Sequence, residues 1–145
     1  MKKMLFPLVL AAMLGAACDN FHASDNGKLD GFWQLTAVDT LKNGVTVDVR
    51  EKRIFWAVQA NLLEIRDISG NGINVFFRFS HQGNSLILSD PVADKRIISD
   101  STVTDASTIR RYGISQLRDT LQVLQLTDEK MTLESRLQRM FFRKY

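Results

Sequence analysis

The chain has 145 residues, 45% of them hydrophobic, and a formal net charge of +3 at pH 7. Its single cysteine excludes a disulfide within the chain, so a folded domain has to be stabilised by a hydrophobic core. A chain of this length, without internal repeats or low-complexity tracts, is typical of one globular domain.

The N-terminus has the features of a secretory signal peptide. Lys2 and Lys3 form a basic start, residues 4–14 carry no charge, and three small residues then lead into Cys18. At ~1.5 Å per residue, this uncharged run spans only about half of a ~30 Å hydrocarbon core, so a lasting transmembrane helix is not expected. We therefore predict a signal peptide over residues 1–17.

The small residues that end on Cys18 resemble the lipobox of bacterial lipoproteins. In that family the cysteine sulfur is diacylated and the signal is cleaved just before it. The resemblance implies that Cys18 is the lipidated first residue of a protein anchored in the cell envelope of a Gram-negative bacterium, as an outer-membrane lipoprotein. The alternative is cleavage by ordinary signal peptidase after Ala17, which would leave an exposed thiol in an oxidising compartment.

The region after the signal peptide is nearly neutral. Removing residues 1–17 takes away Lys2 and Lys3 and no acid, which lowers the net charge from +3 to +1. The high isoelectric point of the whole chain, about 9.2, therefore says little about nucleic acid or anionic surfaces as partners. Residues 18–28, polar and turn-rich after the cysteine, are predicted to be a flexible tether, and residues 29–145 the folded domain.

Alternating apolar and polar side chains predict strands over most of this domain. The predicted strands cover residues 31–40, 45–49, 53–68, 73–80, 85–89, 119–127, 130–134 and 137–145. Asn43-Gly44 indicates a hairpin turn, and Pro91 is expected to end the strand before it. One short helix is predicted between Asp105, as its N-cap, and Gly113, as its stop.

Eight or nine antiparallel strands with one short helix favour an all-β fold. A meander that closes into an up-and-down barrel leaves no open edge, so the last strand is expected to pair with the first. A sandwich of two sheets is the alternative.

Gly-Phe-Trp at residues 31–33 opens the first predicted strand, and Phe-Arg-Lys-Tyr at residues 142–145 ends the last one. Together with other short motifs, they resemble the lipocalin-like lipoproteins of gut-dwelling Gram-negative anaerobes. The Gly-x-Trp of residues 31–33 resembles the signature that opens lipocalin barrels, in which the tryptophan crosses the closed end beneath an arginine of the last strand. The resemblance implies this pairing for Trp33 and Arg143, with Arg139 as the second choice. Three further features of these lipoproteins have counterparts in this chain. They are a tryptophan in the third strand (Trp56), a Tyr-Gly-Ile segment (residues 112–114), and a Met-x-Leu pair (Met131, Leu133) before a Phe-Arg-Lys-Tyr ending (residues 142–145).

No motif indicates catalysis. His22 and His81 are expected to be exposed, the first in the tether and the second in a turn, without partners at metal-ligand spacing. No pair of carboxylates suggests a general acid and base, and there is no phosphate loop or nucleophile elbow. We therefore expect no enzyme activity, metal or cofactor. The basic and aromatic C-terminus is assigned to barrel closure rather than to nucleic-acid binding.

Two classes of function remain. In the first, the barrel holds a small hydrophobic ligand, as the resemblance to lipocalins implies. The inward side chains nominated for this site are Leu35, Trp56, Val58, Phe77, Phe79, Leu86 and Leu88. In the second class, the same side chains only fill a core, and the domain is a lipid-tethered interaction or inhibitor module that binds a protein through an apolar surface patch.

Overall fold

The computed structural model describes residues 24–94 and 101–145. The predicted signal peptide, Cys18 and the first part of the predicted tether lie outside the described residues. Within the described ranges, no helix is long and apolar enough to cross a membrane.

Strands dominate the described part of the chain. They are β1 (Gly31–Thr40), β2 (Val45–Asp48), β3 (Ile54–Gln59), β4 (Leu62–Asp67), β5 (Asn74–Gln82), β6 (Ser85–Asp94), β7 (Ser101–Thr102), β8 (Asp119–Leu126), β9 (Lys130–Glu134) and β10 (Gln138–Lys144). The one α-helix there is α1 (Ser107–Arg110), and single 3-10 turns cover Gly27–Leu29 and Arg50–Lys52.

Eight of the strands form a closed antiparallel barrel. Neighbouring strands pair in the order β1, β3, β4, β5, β6, β8, β9 and β10, and β10 pairs back onto β1. The short strands β2 and β7 lie outside this ring, where β2 pairs with β1 and β7 pairs with β6. The predicted up-and-down barrel is confirmed, as is the pairing of the first strand with the last, and the sandwich alternative is excluded.

The core lies inside the barrel because alternate side chains of each strand point inward. In β1, for example, Trp33 and Leu35 are buried while Gln34 and Thr36 are partly exposed. Inward side chains of the eight barrel strands contribute most of one buried hydrophobic cluster, and the rest comes from the segment that contains α1 and from Leu29 and Val49.

The predicted long strand over residues 53–68 is wrong, because the chain turns back after Gln59. Ala60 adopts a positive φ of 53° and joins β3 to β4 in a tight hairpin. The turn is held by the N-terminal segment: the Ala60 amide donates to Ser24 Oγ at 2.6 Å, and its carbonyl accepts from Asn26 Nδ2 at 2.8 Å. In an unbroken strand Leu62 would lie on the same face as Trp56 and Val58, but after this turn its side chain is exposed.

The prediction that Pro91 ends its strand is also wrong, because β6 continues to Asp94. The register between β5 and β6 shifts between Phe76 and Arg78, and Asp90 opposite has a positive φ of 51°. Such a bulge accommodates a proline, which has no N–H for the ladder.

The folded domain begins earlier than predicted. Asp30 accepts hydrogen bonds from Ser24 and Asn26, and both of these residues also bond to the β3–β4 turn. Burial by itself would raise the pKa of the Asp30 carboxyl, but these hydrogen bonds outweigh it and lower the pKa. The assignment of a flexible tether is therefore corrected for residues 24–28, which are fastened to the barrel.

Candidate functional site

The barrel interior is the candidate site, and its wall contains the residues nominated from the sequence. Leu35, Trp56, Val58, Phe77, Leu86 and Leu88 are all buried, with exposed fractions of 3% or less. Phe79 is half-buried and packs against the same cluster. The structure therefore brings all seven side chains together on one apolar inner surface. Their contact with a ligand stays a prediction.

Sequence reasoning missed about half of this wall. The buried side chains that it did not nominate include Leu63, Ile65, Val75, Leu121, Val123, Met131, Leu133, Met140 and Phe142. The alternation in β8 could have identified Leu121 and Val123. Leu63 and Ile65 were not identified because the sequence predicted one unbroken strand, in which they would face outward. The hairpin turn at Ala60 places them on the inner face instead.

One end of the barrel is closed around Trp33, whose side chain is fully buried. Its indole Nε1 donates to the Leu29 carbonyl at 2.9 Å. The ammonium of Lys144 lies 4.7 Å from the centroid of the Trp33 ring and donates to the Lys28 carbonyl at 3.2 Å. Trp33 thus ties the start of β1 to the end of β10 and to the 3-10 turn before β1.

The expectation that Arg143 covers this ring is wrong, and so is the second choice of Arg139. In the register of β1 and β10, Trp33 is opposite Lys144 and Gln34 is opposite Arg143. Since successive side chains point to opposite faces, Arg143 lies outside, where it donates to Gln34 Oε1 at 3.2 Å. Arg139 also points away from Trp33 and forms an ion pair of 2.7 Å with Glu134.

The glycine of the Gly-x-Trp motif makes room for this lysine. A Cβ atom on Gly31 would lie 2.8 Å from Lys144 Cε, and the residue has a φ of 135°, which side chains rarely adopt. The Gly-x-Trp motif of this chain therefore places a glycine and a buried indole against the side chain of the same lysine, Lys144.

Replacing Lys144 with methionine is expected to lower the free energy of unfolding by about 1 kcal/mol. Methionine keeps much of the apolar stem over the indole but removes the ammonium and its cation–π contact. Arg143→Met is the matched control, because it removes an exposed cation one position away and should change stability by less than about 0.5 kcal/mol. Urea unfolding of both variants checks this, and a larger loss in Arg143→Met would contradict the assignment of Lys144.

The opposite end of the barrel is covered by residues 103–117, which we call the strap. Val103, Ile109, Tyr112 and Ile114 are buried in the core cluster, and the half-buried Leu117 packs against it. The strap contains α1, where Asp105 accepts hydrogen bonds from the amide and hydroxyl of Ser107. This end of the barrel is therefore covered by a loop and one helical turn, and not by a strand.

Polar contacts hold the strap to the barrel on two sides. On one side, the Tyr112 hydroxyl donates to the Ile73 carbonyl at 2.8 Å, and Arg111 Nη2 lies 3.3 Å from Asp67 Oδ2. Burial raises the pKa of the Tyr112 phenol and the nearby Asp67 carboxylate raises it further, so the phenol stays protonated and donates at neutral pH. On the other side, Asp119 Oδ2 accepts from the amide and hydroxyl of Ser115 at 2.6 and 2.7 Å.

Gly113 allows the strap to approach the barrel closely. It has a φ of 83°, and a Cβ atom there would lie 2.6 Å from Gln138 Nε2 and 3.0 Å from Met140 Sδ. The Tyr-Gly-Ile segment therefore places two buried side chains on either side of a position that only glycine fits without strain.

His81 differs from its predicted position in an exposed turn. It lies in β5, is half-buried, and its Nε2 is buried without a hydrogen-bond partner among the described residues. The second histidine, His22, lies outside those residues. In the described ranges, no group of three or more His, Cys, Asp or Glu side chains is placed to hold a metal ion.

Comparison with known proteins gives one family and two similar structures. The model of the lipocalin-like domain family matches residues 11–145. A crystal structure of a lipocalin-like protein from Bacteroides uniformis is similar, with a TM-score of 0.61 and 20% identity, covering 82% of this chain and 100% of that chain. An uncharacterized protein from Bacteroides eggerthii has a TM-score of 0.56 and 21% identity, with 80% and 98% covered. A search of curated proteins found no match.

Proposed function

Because the chain belongs to the lipocalin-like domain family, we propose that the interior of its barrel binds a small hydrophobic ligand. The observation that carries this proposal is the inner wall, where apolar side chains from all eight barrel strands face the barrel interior and form one buried cluster. A barrel of eight strands is wide enough to hold one small ligand. Binding, and not catalysis, is the activity that we assign to this wall.

The strap supports the proposal because it offers an entrance. The strands of the ring are joined by ladders of main-chain hydrogen bonds. In the described part of the chain, the strap has no such ladder and is held by its buried side chains, by the Val103 amide bonded to the Pro91 carbonyl, and by side-chain contacts at Tyr112, Arg111 and Ser115. A segment outside the hydrogen-bonded ladders opens locally at lower free energy than the strands of the ring. A ligand can then enter at this end while the Trp33 end stays closed.

A fluorescence titration tests the proposed binding. Every residue of the core cluster lies between Leu29 and Phe142, so a chain that begins at Asp19 retains the whole described barrel. This chain would be titrated with fatty acids, sterols and flat aromatic compounds while tryptophan emission is recorded, since Trp56 lies on the inner wall. A saturable change with at least one compound supports the proposal, and the absence of any response contradicts it.

We further propose that Cys18 is lipidated and holds the barrel at the cell envelope, in the outer membrane. The support is the sequence pattern of residues 1–18, and the fastening of residues 24–28 to the barrel would keep the domain close to its anchor.

Cys18→Ala is expected to abolish incorporation of a fatty-acid analogue completely. The alanine has no sulfur to acylate, so the protein should stay unprocessed by the lipoprotein pathway or be released in soluble form. Metabolic labelling followed by detergent partitioning measures both effects. Equal labelling of the variant and the natural chain would overturn the anchor.

A second function, as an interaction module, is favoured by the hairpin of β1 and β2. Leu41, Val45 and Val47 on this hairpin are 44–52% exposed, although all three are large apolar residues. In addition, β2 pairs with one neighbour, β1, in the described sheet, so its outer edge is open to another strand. The titration separates the two functions, because a barrel with a solid interior gives no response.

A further inference from the structure

The two tryptophans of the barrel differ in what their indole N–H groups bond to. Trp33 Nε1 donates to the Leu29 carbonyl at 2.9 Å. Trp56 Nε1 has no hydrogen-bond partner within residues 24–94 and 101–145, although the side chain is 0% exposed. One indole is therefore part of the closure of the barrel, and the other presents an unused donor inside it.

The surroundings of Trp56 supply no acceptor. Its partners in register on the adjacent strands are Trp33 and Ile65, and its ring lies against Phe142 with centroids 5.0 Å apart and planes tilted by 59°. Main-chain carbonyls on these strands are engaged in the ladders of β1, β3 and β4. The donor therefore faces an apolar environment.

Buried indole N–H groups nearly always have a hydrogen-bond partner, because leaving a donor unpaired away from water is costly. If only apolar packing were needed here, a smaller aromatic side chain such as phenylalanine, with its neighbours repacked, would supply it without a buried polar atom. The unpaired N–H thus points to an acceptor that belongs to a bound molecule.

We propose that the interior ligand carries an uncharged oxygen acceptor, a carbonyl or a hydroxyl, that bonds to Trp56 Nε1. This inference rests on the proposed function and names the class of ligand as apolar molecules with one neutral oxygen. An ionised carboxylate does not fit, since a buried anion needs a cation or several donors and the residues around Trp56 are apolar. The N–H then selects oxygen-bearing ligands over pure hydrocarbons of the same shape.

Two matched probes test this selection. The probe 2-methyl-1-dodecene differs from 2-dodecanone only in that a methylene group replaces the carbonyl oxygen. We expect the chain from Asp19 to bind the ketone about 3- to 10-fold more tightly than the alkene, the effect of one neutral hydrogen bond. In Trp56→Phe this preference should be lost or reversed in favour of the alkene, because the carbonyl would then be buried without a donor.

The indole signals in a proton–nitrogen NMR spectrum give a readout that does not depend on the variant. The Trp56 signal should move downfield with 2-dodecanone and not with 2-methyl-1-dodecene. Trp33, whose N–H is already bonded to Leu29, is the internal control and should not show this difference. If Trp56→Phe does not fold, these shifts in the natural sequence decide the question.

The outcomes separate the two proposals. If both probes bind equally and neither shifts the Trp56 signal downfield, the acceptor is overturned while the proposed binding function stands. If dodecanoate at pH 7 binds more tightly than 2-dodecanone, the neutral character of the acceptor is overturned. If none of the three probes binds, the interior does not take such molecules and both proposals fail for this ligand class.

Discussion

Replacing Trp33 with alanine is expected to lower the free energy of unfolding by about 3–5 kcal/mol, as truncations of large buried side chains do. The side chain is fully buried, and the variant loses its apolar contacts, its bond to the Leu29 carbonyl and the ring beneath Lys144. These contacts lie where β1 meets both β3 and β10, so the ring of strands should be weakened at the point where it closes. Urea unfolding followed by circular dichroism measures the change.

Trp33→Phe separates the packing from the hydrogen bond at this position. Phenylalanine keeps an aromatic face beneath Lys144 but removes the donor to Leu29, so we expect a smaller loss of about 1–3 kcal/mol. A loss below about 1 kcal/mol for Trp33→Ala would show that Trp33 contributes little to closure and would contradict the assignment.

Phe77→Arg is expected to lower the affinity for an interior ligand by ~100-fold or more, enough to remove the fluorescence response. Phe77 is 0% exposed on the inner wall, so the substitution places a cation against the apolar ligand. An unpaired charge in an apolar site costs several kcal/mol, and each 1.4 kcal/mol is a factor of ten in affinity. We expect the variant to remain folded if the interior opens toward the strap, because the guanidinium can then reach water.

Phe76→Arg is the matched control, with the same change one position away. Phe76 lies on the outer face of β5, in register with Glu64 of β4, so an arginine there meets a carboxylate and solvent. This variant should fold and bind like the natural sequence. If Phe77→Arg unfolds and the natural sequence responds to no compound, the interior is a solid core and the interaction module is the better function.

The strand pattern was accessible from the sequence because a half-buried strand alternates its side chains with a period of two. The motif Asn43-Gly44 marked the first hairpin, and Gly44 has the positive φ of 61° that such turns require. The seven nominated wall residues were found by the same alternation. The turn at Ala60 escaped because neither Ala60 nor Asn61 is a glycine or proline. Its support comes from Ser24 and Asn26, more than 30 positions earlier in the chain.

The sequence could not predict which cation lies over Trp33, for a different reason. Arg143 and Lys144 are adjacent, and only the register of β10 against β1 decides which of them faces the interior. A shift by one residue would exchange the two, since each position in a strand points to the face opposite to its neighbour. No pattern in residues 137–145 specifies that register.

The sequence by itself predicted the all-β class, because alternation is a local property of each strand. It predicted the closing strand pair because an unclosed sheet would leave its first and last strands unpaired. It also placed Trp33 at the start of the first strand and the Tyr-Gly-Ile segment after the helix. Only the tertiary structure decided that Lys144 covers Trp33, that the strap closes the other end, and that Trp56 keeps an unpaired donor inside. Each of these depends on contacts between residues distant in sequence, and such contacts exist only after the barrel has closed.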